Sequence, residues 1–220
     1  SKFNGMWALA IYDETLKKLI VSRDRFGQKP LFVMKDDHSI YVASEFQQLI
    51  KYSSREIDYE LIQMFLKEGG YAGEGRTFLL GIEEFPKAHY CEFNSENKCE
   101  SFRYWDYWNQ KISITEDNCF KKFDDLLKDA VKIRLRTDVP YGVLLSGGID
   151  STIIASYSND LNTTENIIPA YTYGSNDADD ESRFAKSVAT KLGMDITIKE
   201  QEKDPVEYCS RLKNLVKHMG

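Results

Sequence analysis

The chain has 220 residues, 42% of them hydrophobic, which is enough to bury one large core or two small ones. Its 29 basic and 35 acidic residues leave a net charge of −6, which disfavours a general nucleic-acid binder because phosphate contacts need clustered cations. No apolar run reaches the roughly 20 residues that span a bilayer, and the N-terminus lacks a signal-peptide pattern. We therefore expect a cytoplasmic protein with no membrane segment.

The first hundred residues predict short strands separated by turns. Aromatic and aliphatic runs alternate with polar turns over residues 6–45, which is typical of a meander of antiparallel strands. A short helix is expected at 46–52 and a longer one at 58–69, ended by Gly69. Two further strands flank the polar turn at 94–97. This part of the chain is therefore predicted to be antiparallel.

After residue 108 the hydrophobic period changes from two residues to 3.6. Residues 115–138 form the strongest helix prediction, with Thr115 as the N-cap. One continuous helix face is predicted to carry Phe120, Phe123, Leu127, Ala130, Val131 and Arg134. Strands then alternate with helices to the end of the chain, which indicates a parallel sheet with crossover helices. We therefore predict an α/β protein with a boundary near residue 109.

Cysteines occur at four positions, and no two of them have the C-x-x-C spacing of zinc or redox sites. We interpret all four as reduced thiols that serve mainly as small buried residues. They are Cys91, Cys99, Cys119 and Cys209.

The stretch VLLSGGIDST, residues 143–152, carries the clearest chemical signal. Its first three residues are predicted to form a buried parallel strand, and ligands bind at the carboxyl ends of such strands. Gly147 and Gly148 permit positive φ and let backbone N–H groups approach an anion. A helix predicted to begin near Ser151 adds its N–H groups and the positive end of its dipole. The alternative is a tight strand-to-helix turn without a ligand.

Three side chains of this loop refine the prediction. Ser146 and Ser151 supply hydroxyl donors, whereas Asp150 would repel a bare phosphate, so we expect Mg²⁺ between its carboxylate and the phosphate oxygens. No lysine follows the glycines, unlike in a Walker A loop. The pattern therefore favours a site that holds the β- and γ-phosphates and leaves the α-phosphorus open to attack.

These residues resemble the pyrophosphate loop of the ATP pyrophosphatases, which include asparagine, GMP, argininosuccinate and tRNA-modifying synthetases. The longer stretch RTDVPYGVLLSGGIDS is most similar to the glutamine-hydrolysing asparagine synthetases. Over residues 3–108, the segments FNGMWALAIYDETLKKLIVSRDRFGQKPLFV, YVASEFQQLI and GIEEFPKAHYCEF resemble the later part of that family's glutaminase domain. The resemblance therefore covers both halves of the chain.

The resemblance implies two incomplete domains. Residues 1–108 would be the C-terminal part of an antiparallel glutaminase sandwich of the N-terminal-nucleophile type, and residues 109–220 the start of a parallel-sheet ATP-binding domain. The family's nucleophile is an N-terminal cysteine that lies before the matched segment, and Ser1 does not occupy its position. We therefore expect a fragment with no catalytic residue of its own, which does not by itself convert glutamine to asparagine.

The resemblance also implies substrates and residue roles. The parent protein would use glutamine, aspartate and MgATP, forming an aspartyl-adenylate whose AMP is displaced by ammonia. The residues that would hold pyrophosphate and Mg²⁺ are Ser146, Gly147, Gly148, Asp150 and Ser151. Leu145 would border the nucleotide, and Tyr173 would lie near the adenine or ribose, although it could be an ordinary strand aromatic. Asp24 would bind the α-amino group of glutamine, or else form a solvated charge cluster with Arg23 and Arg25. A homodimer is possible.

Three alternatives remain at this point. The chain could be a nucleotide-binding module that performs no chemistry, or an amidotransferase that acts on another carboxylate. It could also be a tRNA-modifying enzyme, but the net charge of −6 and the scattered cysteines disfavour an RNA partner.

Overall fold

The computed structural model describes residues 3–69, 75–109, 115–163, 167–174, 180–200 and 204–219. The chain divides into two compact units, Ser1–Ile112 with Asn214–Gly220, and Ser113–Lys213. Antiparallel sheets occur in the first unit and a parallel sheet in the second, which confirms a mixed α/β protein. Within the described ranges, no helix combines the length and apolarity needed to cross a membrane.

The first unit contains two antiparallel sheets and two helices. Its strands are Ala8–Asp13 (β1), Lys18–Arg23 (β2), Phe32–Lys35 (β3), Ile40–Ala43 (β4), Ile82–Glu84 (β5), His89–Phe93 (β6) and Cys99–Arg103 (β7). Its helices are Gln47–Ile50 (α1) and Tyr59–Glu68 (α2), followed by a 3₁₀ turn at Tyr107–Asn109. One sheet has the order β1-β2-β6-β7 and the other β4-β3-β5. Both predicted helices are confirmed, and Gly69 ends α2 in the left-handed conformation with φ 68°.

The predicted meander is wrong in its pairing, because its four strands belong to two sheets. The hairpin of β1 and β2 lies in one sheet and that of β3 and β4 in the other. The strand β5 was not predicted, since three residues are too few to show a period of two. One buried cluster joins residues of both sheets: Val21, Leu31, Val33, Phe85, Cys91 and Phe93. The sheets therefore share a core.

The prediction of four reduced thiols is wrong for two of the cysteines. Cys91 and Cys99 form a disulfide across the hairpin of β6 and β7. Phe93 pairs with Cys99 and Cys91 with Ser101, so the two cysteines are diagonal neighbours, with Cα atoms 6.1 Å apart. That separation lies within the range that disulfides span. Cys119 and Cys209 are free thiols, and Cys209 is exposed.

The second unit is built from alternating helices and parallel strands. Its helices are Glu116–Arg134 (α3), Ile149–Asp160 (α4) and Ser182–Leu192 (α5), and Pro205–Met219 (α6) begins within it. Its strands are Val143–Leu144 (β8), Ala170–Gly174 (β9) and Ile196–Glu200 (β10), in the sheet order β10-β9-β8. Both pairings are parallel, as predicted. Gly193 ends α5 with φ 67°, and Pro205 is the first residue of α6.

The core of this unit lies on one face of the sheet. It consists of Val143, Leu145, Ala155, Ile168, Ala170, Ala185, Ala189 and Met194. Alanines on α4 and α5 let both helices approach the strands closely. The expectation that residues 143–145 are all buried is wrong for Leu144, which is 81% exposed. Successive side chains of a strand point to opposite faces, and Leu144 points away from the face that carries this core.

Helix α3 confirms the strongest helix prediction, but its apolar face is not continuously buried. Val131 is buried and Leu127 half-buried, whereas Phe120 is 83% exposed and Phe123 is also exposed. Only the C-terminal half of the predicted face is therefore packed. Thr115 is the N-cap residue, but its hydroxyl accepts the Asn118 side-chain amide at 3.0 Å and no backbone N–H. The predicted cap is therefore present in position but not in its hydrogen bond.

Candidate functional site

The loop at residues 145–151 leaves the carboxyl end of a parallel strand, as the sequence predicts. The Leu145 N–H donates to the Tyr171 carbonyl oxygen at 2.9 Å and thereby continues the pairing of β8 with β9 beyond Leu144. Helix α4 begins at Ile149, two residues earlier than predicted, and Gly148 is its N-cap. Asp150 therefore lies in the first turn of the helix and not in the loop before it. The Asp150 carboxylate therefore belongs to the end of the helix at which the dipole is positive.

Two serines close the loop on itself. The Ser146 and Ser151 hydroxyl oxygens are 3.0 Å apart, and the Gly148 N–H donates to the Ser146 hydroxyl at 3.3 Å. Ser151 also donates to the Gly148 carbonyl oxygen at 3.2 Å. No side chain caps α4, so the N–H groups of its first turn have no acceptor among the described residues. The loop thus combines a fixed backbone with hydrogen-bond donors that an anion can use.

Gly147 is held at a position that excludes a side chain. Its φ is 83°, and a Cβ atom there would lie 2.6 Å from Phe184 Cβ and 2.7 Å from the Ala185 nitrogen. The loop therefore rests directly on the first turn of α5. Real Cβ atoms do not come that close to other heavy atoms, so only glycine fits. The sequence predicts the need for glycine here, but not the helix that imposes it.

Asp150 has the placement expected of a group that binds a ligand. Its side chain is exposed, and no described residue forms a hydrogen bond or ion pair with its carboxylate. The described residues contain no group of three or more potential metal ligands, so a cation here would need oxygens from a bound phosphate. One turn into α4, Thr152 Oγ1 is buried with no partner among the described residues. The oxygen-rich loop therefore fits a Mg²⁺–phosphate group chemically.

The other two residues predicted for the nucleotide differ in accessibility. Leu145 is 1% exposed and belongs to the core, so it can border a nucleotide only through its backbone. Tyr173 lies near the carboxyl end of β9 and is 77% exposed, on the face opposite the buried Ala170 and Thr172. The two residues therefore belong to opposite faces of the sheet. Their predicted contacts with the nucleotide stay predictions.

Asp24 lies in the loop after β2, and its surroundings are unlike those of Asp150. Its carboxylate is 1% exposed and accepts backbone N–H groups of Phe26, Gln28 and Lys29, each at 3.0 Å. Burial pushes the pKa of this carboxyl upward, but the N–H groups of Gln28, Lys29 and Phe26 together outweigh it, so the pKa is lowered. Both oxygens are therefore used within the loop. The predicted contact with glutamine stays untested.

Arg23 completes this loop, and the sequence indicated it only as a member of the charge cluster. Its guanidinium donates to the carbonyl oxygens of Gly27, Lys29 and Phe85, each at 2.8 Å, and pairs with Glu84 at 2.6 Å. A buried guanidinium needs several acceptors, and here the loop and the segment at Glu84 and Phe85 supply them. The alternative of a solvated charge cluster is wrong for Arg23 and for Asp24, because both are buried.

Tyr104 lies against this loop, and the charge of Asp24 contributes to its pKa. Its hydroxyl donates to the Arg23 carbonyl oxygen at 2.7 Å. Burial, followed by the negative charge of Asp24, raises the pKa of Tyr104 to about 12. The phenol is therefore held in its neutral, donating form.

A cleft of about 820 Å³ opens beside the same loop. Arg23, Phe26 and Gly27 line one side, and Glu84 and Lys87 belong to the rest of its wall. Charged side chains of both signs therefore border the cleft. No sequence signal indicated it, because its residues come from separate strands and loops.

The comparisons with known proteins match both units in order. A model described as a glutamine amidotransferase domain matches residues 1–105, and one described as asparagine synthase matches residues 122–219. The first half of the chain therefore matches a glutamine amidotransferase domain and the second half an asparagine synthase. The chain belongs to the glutamine-hydrolysing asparagine synthetase family, of whose members it spans a part.

Individual relatives agree with this assignment. Asparagine synthetase 1 of Bacillus subtilis is 28% identical over 99% of this chain and 34% of its own length. Asparagine synthetase B of Escherichia coli is 35% identical over 69% of this chain and 23% of its own length. The amidase chyE of Penicillium rubens is 28% identical over 99% of this chain and 34% of its own length. The chain thus spans about a third or less of the length of these relatives.

Proposed function

We propose that this chain is part of a protein that transfers the amide nitrogen of glutamine to a carboxylate activated by ATP, and that its second unit binds MgATP. The loop at residues 146–151 carries the proposal: it combines an uncapped helix start, two serine hydroxyls and an exposed carboxylate at the end of a parallel strand. The match of this segment to the asparagine synthase model supports the same conclusion.

In this proposal the loop binds the β- and γ-phosphates. The N–H groups at the start of α4 and the hydroxyls of Ser146 and Ser151 donate to phosphate oxygens. Mg²⁺ supplies positive charge that neutralises the phosphates, and Asp150 would hold it on the protein side. The carboxylate substrate then attacks the α-phosphorus, pyrophosphate leaves, and ammonia displaces AMP from the acyl-adenylate. Aspartate is the proposed acid.

The proposed glutaminase role of the first unit rests on the match to the amidotransferase model. A sandwich of the N-terminal-nucleophile type is the proposed architecture of the whole domain, and the core shared by the two sheets supports it. For Asp24, the three backbone donors favour a role in shaping the loop at residues 24–29. Direct contact with glutamine would require the buried carboxylate to become accessible.

Calorimetry with Asp150→Asn tests the loop. Without metal, the variant should bind ATP at least as tightly as the parent, since a negative charge beside the phosphates is removed. With Mg²⁺, it should bind about tenfold more weakly, which corresponds to about 1.4 kcal/mol. Asp160→Asn is the matched control, because it removes the same charge at the other end of α4. It should leave both affinities unchanged.

Two results would reject parts of this proposal. If the folded parent chain does not bind MgATP, the nucleotide site is wrong. If Asp150→Asn binds MgATP as tightly as the parent, Asp150 does not hold the metal. The relatives include both asparagine synthetases and amidases, so the acid is tested separately. Pyrophosphate release from MgATP that depends on aspartate, in a protein containing both complete domains, is the expected result.

A further inference from the structure

The proposed phosphate loop contains no basic residue. Residues 143–152 include Asp150 but neither lysine nor arginine. A triphosphate adds several negative charges beside this carboxylate, and one divalent cation neutralises only part of them. Sites for transferable phosphates usually add a lysine or arginine that binds the phosphate oxygens directly. A cation from elsewhere in the fold would therefore complete the site.

The first turn of α5 is the part of the fold that touches the loop. Phe184 Cβ and the Ala185 nitrogen are the atoms that leave no room for a side chain at Gly147. Arg183 precedes Phe184, and consecutive Cα atoms are about 3.8 Å apart. Its guanidinium carbon lies 4.8 Å from the centroid of the Phe184 ring. The cation is thus held on the aromatic side chain whose Cβ supports the loop.

The guanidinium of Arg183 is not committed to a carboxylate. Its side chain is exposed, and none of the ion pairs among the described residues includes it. The first turn of α5 contains no acidic residue. The preceding Asp180 accepts the N–H and the hydroxyl of Ser182, each at 2.8 Å, and so is occupied within its own turn. An arginine stacked on a ring keeps its N–H groups available at the ring's edge.

We propose that Arg183 binds the phosphate tail of the nucleotide and supplies the cation that the loop lacks. The ligand class is a nucleoside triphosphate or pyrophosphate. The inference rests on the proposed function, because it assigns a further residue to the same site. Phe184 has a positioning role: its Cβ supports Gly147 and its ring holds the guanidinium.

Calorimetry with Arg183→Gln tests the proposal, with MgATP, magnesium pyrophosphate and AMP as probes. The variant should bind MgATP and magnesium pyrophosphate about tenfold more weakly, the loss expected for a charged hydrogen bond. Its affinity for AMP, which lacks the β- and γ-phosphates, should not change. Lys191→Gln removes a positive charge from the last turn of the same helix and should bind all three ligands like the parent.

A second pair of variants separates charge from packing. Arg183→Lys keeps the charge and should recover part of the lost affinity. Phe184→Ala keeps the Cβ that supports Gly147 but removes the ring, and should weaken binding by less than Arg183→Gln does. Equal MgATP affinities of the parent and Arg183→Gln would overturn this inference while leaving the loop intact. Failure of the parent itself to bind MgATP would overturn the proposed function instead.

Discussion

Two loops of this chain follow β-strands and contain a conspicuous aspartate, yet they use their hydrogen-bonding groups in opposite ways. In the loop at residues 23–29, the Asp24 carboxylate accepts three backbone N–H groups and Arg23 donates to three carbonyl oxygens. In the loop at residues 146–151, Asp150 is exposed and no side chain caps the start of α4. The Asp24 carboxylate and the Arg23 guanidinium of the first loop are thus already bound within the protein, whereas the second loop has donors and an acceptor that a ligand can use.

The comparison separates a residue that builds a loop from one that can bind a ligand. Both aspartates lie in sequence segments that resemble a family motif, and a ligand contact was predicted for each, for Asp24 from the resemblance and for Asp150 from the loop pattern. Burial and hydrogen bonding divide them, because a carboxylate whose oxygens are already occupied gains little from a new partner. Substitution of Asp24 should therefore lower stability, and substitution of Asp150 should change ligand binding.

The largest effect should come from Gly147→Ala. This position of the second loop is needed for stability, because the backbone there packs directly against α5. The new Cβ would lie 2.6 Å from Phe184 Cβ, and the backbone keeps a φ of 83°. The left-handed conformation and the overpacking together should cost about 3 kcal/mol of unfolding free energy. Urea unfolding followed by far-ultraviolet circular dichroism measures this loss, and calorimetry should show no MgATP binding.

Gly148→Ala is the matched control for that substitution. Gly148 has φ −71°, and the nearest atom to a Cβ there is the Ser146 hydroxyl oxygen at 3.3 Å. A flexible hydroxyl can move, so the variant should unfold nearly like the parent. If both alanine variants are equally stable, the contact between the loop and α5 is wrong.

Asp24→Asn should have the next largest effect on stability, and it changes the loop at residues 23–29. The amide would place an NH₂ group where the carboxylate accepts N–H groups, which should cost about 2 kcal/mol. All three tryptophans, Trp7, Trp105 and Trp108, lie in the first unit, so tryptophan fluorescence in urea reports its unfolding. MgATP binding by the second unit should not change.

The pH dependence gives the sign of the same interaction. The pKa of Asp24 is lowered from 3.8, so its carboxylate stabilises the fold above that pH, and the stabilisation is lost as the pH falls through the lowered pKa. Asp36→Asn is the control, since that exposed carboxylate also accepts two backbone N–H groups in a turn. It should cost less than Asp24→Asn. Equal losses would mean that burial of Asp24 contributes nothing.

The smallest effect should appear in the titration of Tyr104, which contacts the loop at residues 23–29. Tyr104, with a pKa of about 12, should remain protonated at pH 10, where an ordinary tyrosine is half ionised. The ultraviolet titrations of the parent and of Tyr104→Phe should therefore coincide at that pH. Because the folded pKa is raised, the stabilisation is complete below pH 10 and is lost as the pH rises toward 12. Asp24→Asn should lower the pKa of Tyr104.

Local patterns in the sequence predicted much of the fold. The end of α2 at Gly69 and the alternation of helices with strands after residue 115 depend on neighbouring residues, and the structure confirms them. The strand-to-helix loop at residues 146–151 was predicted for the same reason. The start of α4 lies two residues before the predicted one, because glycine can cap a helix without any side-chain signal.

What failed depended on residues distant in sequence. Phe120 and Phe123 fit a helix face by period, but period alone does not say whether another element covers that face. The apolar run predicts that Leu144 is buried, but only one face of its strand packs against the core, and Leu144 lies on the other. The disulfide between Cys91 and Cys99 depends on the register of a hairpin, which places the two cysteines diagonally.

The sequence by itself determined the class of each half, the position of the strand-to-helix loop at residues 146–151 and its glycine requirement, because each depends on residues within one turn or one strand. Only the tertiary structure decided that Asp24 is buried while Asp150 is exposed, and that Phe184 and Ala185 lie beside Gly147. The physical reason is that burial and hydrogen-bond saturation depend on which distant segments meet, and residue spacing along the chain does not specify those meetings.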